Sequence, residues 1–247
     1  MISAFLQGGL GNMLFQIATV ASIAKDNNDE CVFDFHHHSN MKRLQSRDAN
    51  VYKSNIFSKL KDGVLENPSV YLERVHSYVP IQYRNNLYIN GYFQTEKYFK
   101  HNRDYILELF DYGFKDDFLK EYTSIHIRRG DFKKLQHVHP LMPREYYDTA
   151  IDMIGGDKFV IFSDDIPWCK EEFRGNKFTF YQAEDQDEIY AMSKCKNNIT
   201  ANSSFSWWGA WLNENKDKRV ICPSKWFNNS IDTKDMPCEG WEIIKVV

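Results

Sequence analysis

Cysteine is scarce and unpaired in this chain: Cys31, Cys169, Cys195, Cys222 and Cys238 are odd in number, scattered, and never spaced as C-x-x-C. That excludes a disulfide framework and a cysteine-based zinc site, and it points to reducing surroundings. The chain also lacks an apolar run of the ~18 residues that a membrane span needs. Its opening, MISAFLQGGLGN, has no basic leader or cleavage site. The expectation is a soluble, cytoplasmic protein with no integral membrane segment. The three N-x-S/T matches, at Asn198, Asn202 and Asn228, are therefore read as chance. Charge of one sign is missing too. Lys and Arg total 31 against 34 Asp and Glu, a net charge of −3, so no nucleic acid partner or general membrane-surface role is expected, and any positive site must be local. What the chain does have is 43% hydrophobic and 15% aromatic residues over 247 positions, enough for a large core.

The organising stretch is Ser124–Asp131, SIHIRRGD. Read as a strand, Ile125 and Ile127 point into a core while His126, Arg128 and Gly130 lie on the other side. Gly130 permits a sharp turn at the strand end, and Asp131 leaves the edge where open α/β sheets bind ligands. Arg128 carries a permanent charge on a planar fork that suits a phosphate or pyrophosphate. The competing reading is an arginine paired with a neighbouring acid for structural reasons.

Around that stretch, strands and helices alternate. Residues 2–6 read as a strand, Gly8-Gly9-Leu10-Gly11-Asn12 as a tight turn, Leu14–Ala24 as an apolar helical stripe, and Cys31–Phe35 as a second strand. Gly9 and Gly11 fit a dinucleotide fingerprint whose third glycine is replaced by Leu14, with Asp34 at the ribose-acid position, so a nicotinamide oxidoreductase is one alternative. His36-His37-His38 reads as a solvated loop, because three consecutive side chains cannot face one ion. Residues 39–79 are polar and weakly periodic. Leu87–Asn90 reads as a strand that leads into a helix near Thr95, and Lys115–Lys120 as a lobe junction. Pro143 opens a helix stopped by Gly155-Gly156, Lys158–Ser163 is a buried strand ending at Ser163-Asp164-Asp165, and Glu184–Cys195 is a helix with an acidic first turn. A brief strand, Ile199–Ala201, runs into Asn202-Ser203-Ser204, whose hydroxyls, helix cap and free N–H groups form an anion site. Phe205, Trp208 and Leu212 share a helical face, and Val220–Cys222 and Trp241–Val247 close the chain. The predicted fold is α/β with two Rossmann-like lobes, 1–119 and 120–247, and a ligand cleft between them.

Four ordered motifs resemble glycosyltransferase family 11, the α-1,2-fucosyltransferases: Gly8–Ala18 (GGLGNMLFQIA), Gly91–Phe99 (GYFQTEKYF), His126–Asp131 (HIRRGD), and a C-terminal block holding Phe162–Lys170 (FSDDIPWCK), Asn202–Asn213 (NSSFSWWGAWLN) and Trp226-Phe227. Members carry Gln-Met-Phe-Gln where this chain has Met13-Leu14-Phe15-Gln16, and residues 31–87 match poorly. The resemblance implies a GT-B-type, inverting transferase that moves L-fucose from GDP-β-L-fucose to a hydroxyl, O2 of a terminal galactose, on an oligosaccharide acceptor. It implies no obligatory metal or other cofactor. On this reading Arg128 and Arg129 hold the diphosphate, with Ser203, Ser204, Asn202 and Phe205 beside them, and Ser163, Asp164 and Asp165 meet the nucleoside. Gly9, Gly11 and Asn12 close on the donor from the first lobe, near the diphosphate or the acceptor, and that lobe takes the acceptor through Gln94 and Glu96. Asp131 and His126 are candidate bases, and Arg128 stabilises the leaving group. A non-catalytic nucleotide or glycan-binding module is the second alternative, motivated by the amide missing at position 13 and by a middle region that is short for the family.

Overall fold

The computed structural model describes residues 1–36, 47–116 and 118–246. His37 and His38, in the loop read at 36–38, lie outside them. The chain forms two compact units, Met1–Gly113 with Asp232–Cys238, and Phe114–Ile231 with Glu239–Val247. The change of unit precedes the expected boundary at residue 119, and the return of 232–238 to the first unit was not anticipated.

In the first unit, β1 (Ile2–Ala4) is followed by α1 (Leu10–Asp26), β2 (Ser69–Leu72), β3 (Leu87–Asn90) and α2 (Arg103–Phe110). Among the described residues the strands pair in parallel in the order β1-β3-β2. The predicted strand at 31–35 is reduced to two isolated bridges, Ile2 to Cys31 and Phe33 to Asp62. Asp34 ends the extension by accepting the N–H of His36 at 2.9 Å, an Asx-type turn. β2 went unread because, as an edge strand, it is exposed on alternate residues and lies in a polar region. Gly8, at φ +81°, makes the turn after β1, and the helix begins at Leu10, so Gly11 and Asn12 belong to its first turn rather than to a loop. Thr95 caps only a single 3-10 turn, Glu96–Tyr98, and the α-helix waits until Arg103. Asp235 anchors the returning segment, pairing with Lys97 at 2.5 Å and accepting the N–H of Tyr78 at 2.8 Å.

The second unit holds β4 (Thr123–Ile127), α3 (Arg144–Ile154), β5 (Phe159–Ser163), α4 (Ile166–Glu172), β6 (Phe178–Tyr181), α5 (Asp185–Ser193), β7 (Asn197–Ile199), α6 (Ser204–Trp211), β8 (Val220–Pro223) and β9 (Glu242–Ile244). Its strands, all parallel among the described residues, run in the order β6-β5-β4-β7-β8-β9. β6 and α4 were not read from the sequence. β6 is half-exposed along its length, and α4 begins at a proline-led turn that looks like a loop.

The period-two reading of β4 has the right parity but the wrong surroundings. Ile125 and Ile127 pack with Tyr146, Tyr147, Ile151, Phe159, Ile161 and Phe173 on the α3–α4 face. The other face is covered as well: Asn198, beside β4, donates to Ser124 Oγ at 2.7 Å and to the Met192 carbonyl of α5 at 2.8 Å. His126 lies under Phe205 of α6, ring centroids 5.4 Å apart. All five residues of β4 are buried, as in parallel sheets wound on both sides.

The close approach of α5 and α6 needs Gly209, because a Cβ there would sit 2.7 Å from Cβ of Met192. Gly209→Ala is therefore expected to destabilise the protein by about 1–3 kcal/mol through overpacking. Urea unfolding monitored by tryptophan fluorescence measures this as a lower midpoint at unchanged m-value.

Candidate functional site

In the second unit the chain passes from β4 to β5 on one side and later returns to β7 on the other, so β4 and β7 flank a topological switch point. Ligands of open α/β sheets bind beyond the carboxyl ends of the strands at such a point. Arg128 follows β4, Asp164 follows β5, and Asn202-Ser203 follow β7.

Six charges meet at the β4 and β5 ends. Asp131 accepts from Arg128 Nη2 at 2.6 Å, and Asp164 Oδ2 pairs with Arg128 Nη1 at 2.8 Å. Asp164 Oδ1 takes the backbone N–H of Arg129 at 2.8 Å. Asp165 pairs with Arg129 Nε at 3.1 Å and Lys133 Nζ at 3.0 Å, and the Arg129 guanidinium lies 3.7 Å from the Trp168 ring centre. Burial works to raise the pKa of Asp165, but hydrogen bonds from Lys133 and Arg129 outweigh it and hold the carboxyl below its ordinary range. Gly130 is required, since a Cβ would fall 2.5 Å from Asp164 Oδ2. Ser163 is a structural clip: its hydroxyl donates to the Ile127 carbonyl at 2.8 Å and accepts the N–H of Asp165 at 3.0 Å.

Thus Arg128, Asp131 and Asp164 come together, and so do Arg129 and Asp165. The two aspartates that were expected to meet the nucleoside are instead engaged by arginines. Arg128 remains 30% exposed, with donors beyond the two given to carboxylates. Lys133 and Trp168 were missed, although the RRGDFKK run and the Trp in FSDDIPWCK were visible signals.

After β7, Ser203 caps α6 by accepting the N–H of Phe205 at 3.3 Å, with Ser204 in the first turn. Asn202 is buried and donates to the carbonyls of Pro140 and Trp226 at 3.0 and 3.1 Å, pinning two loops. His126 is only 4% exposed. Burial, opposed by Asp164 and reinforced by Arg128, pushes its pKa down to about 3. A neutral imidazole of such low basicity, closed off from solvent, is not a general base, which corrects the expectation for His126.

The first unit repeats the topology with different chemistry. β1 lies between the Cys31 bridge and β3, so its carboxyl end is also a switch point. Side-chain amides collect there. Gln16 Oε1 takes the N–H of Gln7 at 2.9 Å, Gln7 donates to Asn90 Oδ1 at 3.3 Å, and Gln94 Nε2 donates to Asn12 Oδ1 at 2.8 Å. Asn12 and Gln94, assigned separately from sequence, are thus bonded to each other. Gly9 is the helix N-cap with open space at its Cβ direction, Gly11 is buried, and Glu96 starts the 3-10 turn half-buried. Met13, where the family carries an amide, is fully buried, as is Gln16 of the cluster.

A family model, glycosyl transferase family 11, matches residues 6–245. The O-antigen biosynthesis glycosyltransferase WbnK of Escherichia coli is 35% identical, over 65% of this chain and 62% of its own length, so the match spans under two thirds of that relative. The alpha-1,2-colitosyltransferase of Escherichia coli is 28% identical over 97% of each chain. Among solved structures, the fucosyltransferase NodZ from Bradyrhizobium superposes with a TM-score of 0.43 at 10% identity, covering 84% of this chain and 90% of that one.

Two predictions follow from the geometry. A histidine with a depressed folded pKa stays neutral while the unfolded chain takes up its proton, so stability is lost as pH falls from about 6.5 towards about 3. Urea midpoints across that range should show the loss, and His126→Phe should remove its share of the slope, at most about 1.4 kcal/mol per pH unit. Gly130→Ala should push the Asp164 carboxylate off its partners, detected as faster hydrogen exchange of the Arg129 amide.

Proposed function

The chain belongs to glycosyl transferase family 11, and from that premise we propose that it moves L-fucose from GDP-β-L-fucose to O2 of a terminal galactose on a glycan, inverting the anomeric carbon. The observation that carries this reading is Arg128, held by carboxylates on two sides at the switch point of a parallel sheet, with the N-capped start of α6 following the neighbouring strand. GDP is a stable leaving group, so its departure calls for charge stabilisation more than for an acid. Arg128, with Arg129 and Lys133 beside it, would orient the diphosphate and stabilise charge as it develops there, and the start of α6 would add the favourable end of a helix dipole. On this reading oriented arginine donors take the part that a divalent ion plays elsewhere, so turnover is expected to survive EDTA. Asp131, bonded to Arg128 at the strand end, remains the candidate base. The amide cluster of the first unit suits sugar hydroxyls, which both donate and accept.

The colitosyl relative favours a second donor, because colitose is L-fucose without its 3-hydroxyl. The nicotinamide reading is set aside by family membership. The binding-module reading predicts nucleotide binding without turnover, so multiple-turnover GDP release with a suitable acceptor excludes it.

Calorimetric titration with GDP, GDP-fucose, GDP-colitose and non-guanine sugar nucleotides, with and without EDTA, tests the donor. Metal-independent preference for guanine supports the reading, and its absence defeats it. With donor and acceptor in hand, Arg128→Ala should lower turnover about 100-fold or more, near 3 kcal/mol, the scale of one lost preorganised donor. A folded variant with near-normal transfer removes Arg128 from the diphosphate.

A further inference from the structure

The turn after β3 is built around a carboxylate from outside it. Glu73, one residue past β2, accepts the backbone N–H of Tyr92 at Oε2, 2.6 Å, and of Phe93 at Oε1, 3.0 Å. Its own N–H donates to the Asn90 carbonyl at 2.9 Å. Gly91 makes room for it, since a Cβ there would lie 2.3 Å from Cβ of Glu73. Phe93 has φ +52°, a region where a bulky residue is rare and persists only when its surroundings impose it. Those surroundings are the Glu73 carboxylate, the buried Phe93 ring edge-on to Tyr98 at 5.6 Å, and the Thr95 N–H donating to the Phe93 carbonyl at 2.8 Å. The next residue is Gln94. With Nε2 committed to Asn12, the acceptor that the 7%-exposed Gln94 amide still carries is Oε1.

We propose that Glu73 is a positioning residue: its carboxylate holds the 91–94 turn so that Gln94 Oε1 accepts a hydrogen bond from a hydroxyl of the sugar acceptor. This rests on the transferase reading above and extends it to a residue outside the four family motifs.

The test uses the full chain with Glu73→Gln and Gln94→Ala, singly and combined. Glu73→Gln is expected to raise the acceptor KM about tenfold, the effect of losing a charged hydrogen-bond partner, with kcat less changed. GDP affinity by calorimetry should stay at the parent value, and backbone exchange across 91–95 should accelerate about tenfold. Because Glu73 acts through Gln94, the combined variant should be no worse than Gln94→Ala alone, which a general loss of stability would not reproduce. An acceptor KM within about twofold of the parent, unchanged exchange, or independent multiplying effects would overturn the proposal. If Glu73→Gln fails to fold, Glu73→Asp, which keeps the charge and shortens the reach, answers with the same readouts. If the parent transfers from no GDP-sugar, the transferase reading fails, while the exchange measurement needs no substrate and still decides whether Glu73 holds the turn.

Discussion

The second unit's candidate site depends on one carboxylate. Asp164 leaves β5 beside β4 because the two strands pair, and its two oxygens take the Arg129 N–H and the Arg128 guanidinium. That double grip sets the path of the chain out of β4. Gly130 leaves that carboxylate in place, since a Cβ there would displace its Oδ2. Arg128 could not otherwise be held with part of its fork exposed: a free arginine samples many rotamers, and ordering it costs entropy that the two carboxylates offset here before any ligand arrives.

Both units use the same feature of sheet topology and fill it differently. The end of β4 carries fixed charges, whereas the end of β1 carries neutral amides joined in pairs. Charges suit a phosphorylated ligand, and amides suit hydroxyl groups. The four motifs that carry the family resemblance divide along this line, with the first two on the amide-bearing unit and the others on the charged one. Family membership is consistent with that division, because a glycosyltransferase must handle both an activated sugar and a polyol.

Sequence reading succeeded where local pattern and tertiary role coincide. Leu87–Asn90 and the Gly155 stop of α3 emerged as predicted because apolar runs and a left-handed glycine have few other uses. It failed where the deciding partner is remote in sequence. β2 and β6 are edge strands with half-exposed faces, so neither alternates cleanly. His126 looked available because the strand period puts it opposite Ile125 and Ile127, yet nothing local says that α6 covers that face. Arg128 and Asp131 were legible as a pair of interest, while the hold of Asp164 on both arginines needed the β4–β5 register. Glu73 was invisible for the same reason: it lies in a polar stretch, and its two partners are backbone groups some twenty residues away.

On the transferase reading, the balance of the cluster matters as much as its cations. Arg128, Arg129 and Lys133 are formally cancelled by Asp131, Asp164 and Asp165. A diphosphate would meet no strongly attractive field from this cluster, only an arginine whose orientation is already fixed. Such a site gains little from long-range attraction and much from geometry, so a misplaced phosphate is poorly rewarded. The same carboxylates would compete with a bound nucleoside diphosphate for Arg128 and so limit how tightly the product could be held after the sugar had left. Binding the leaving group most strongly as its charge develops, rather than before or after, is what raises turnover. Three carboxylates around three cations are therefore compatible with the proposed transfer, in which the nucleotide must leave after each turnover.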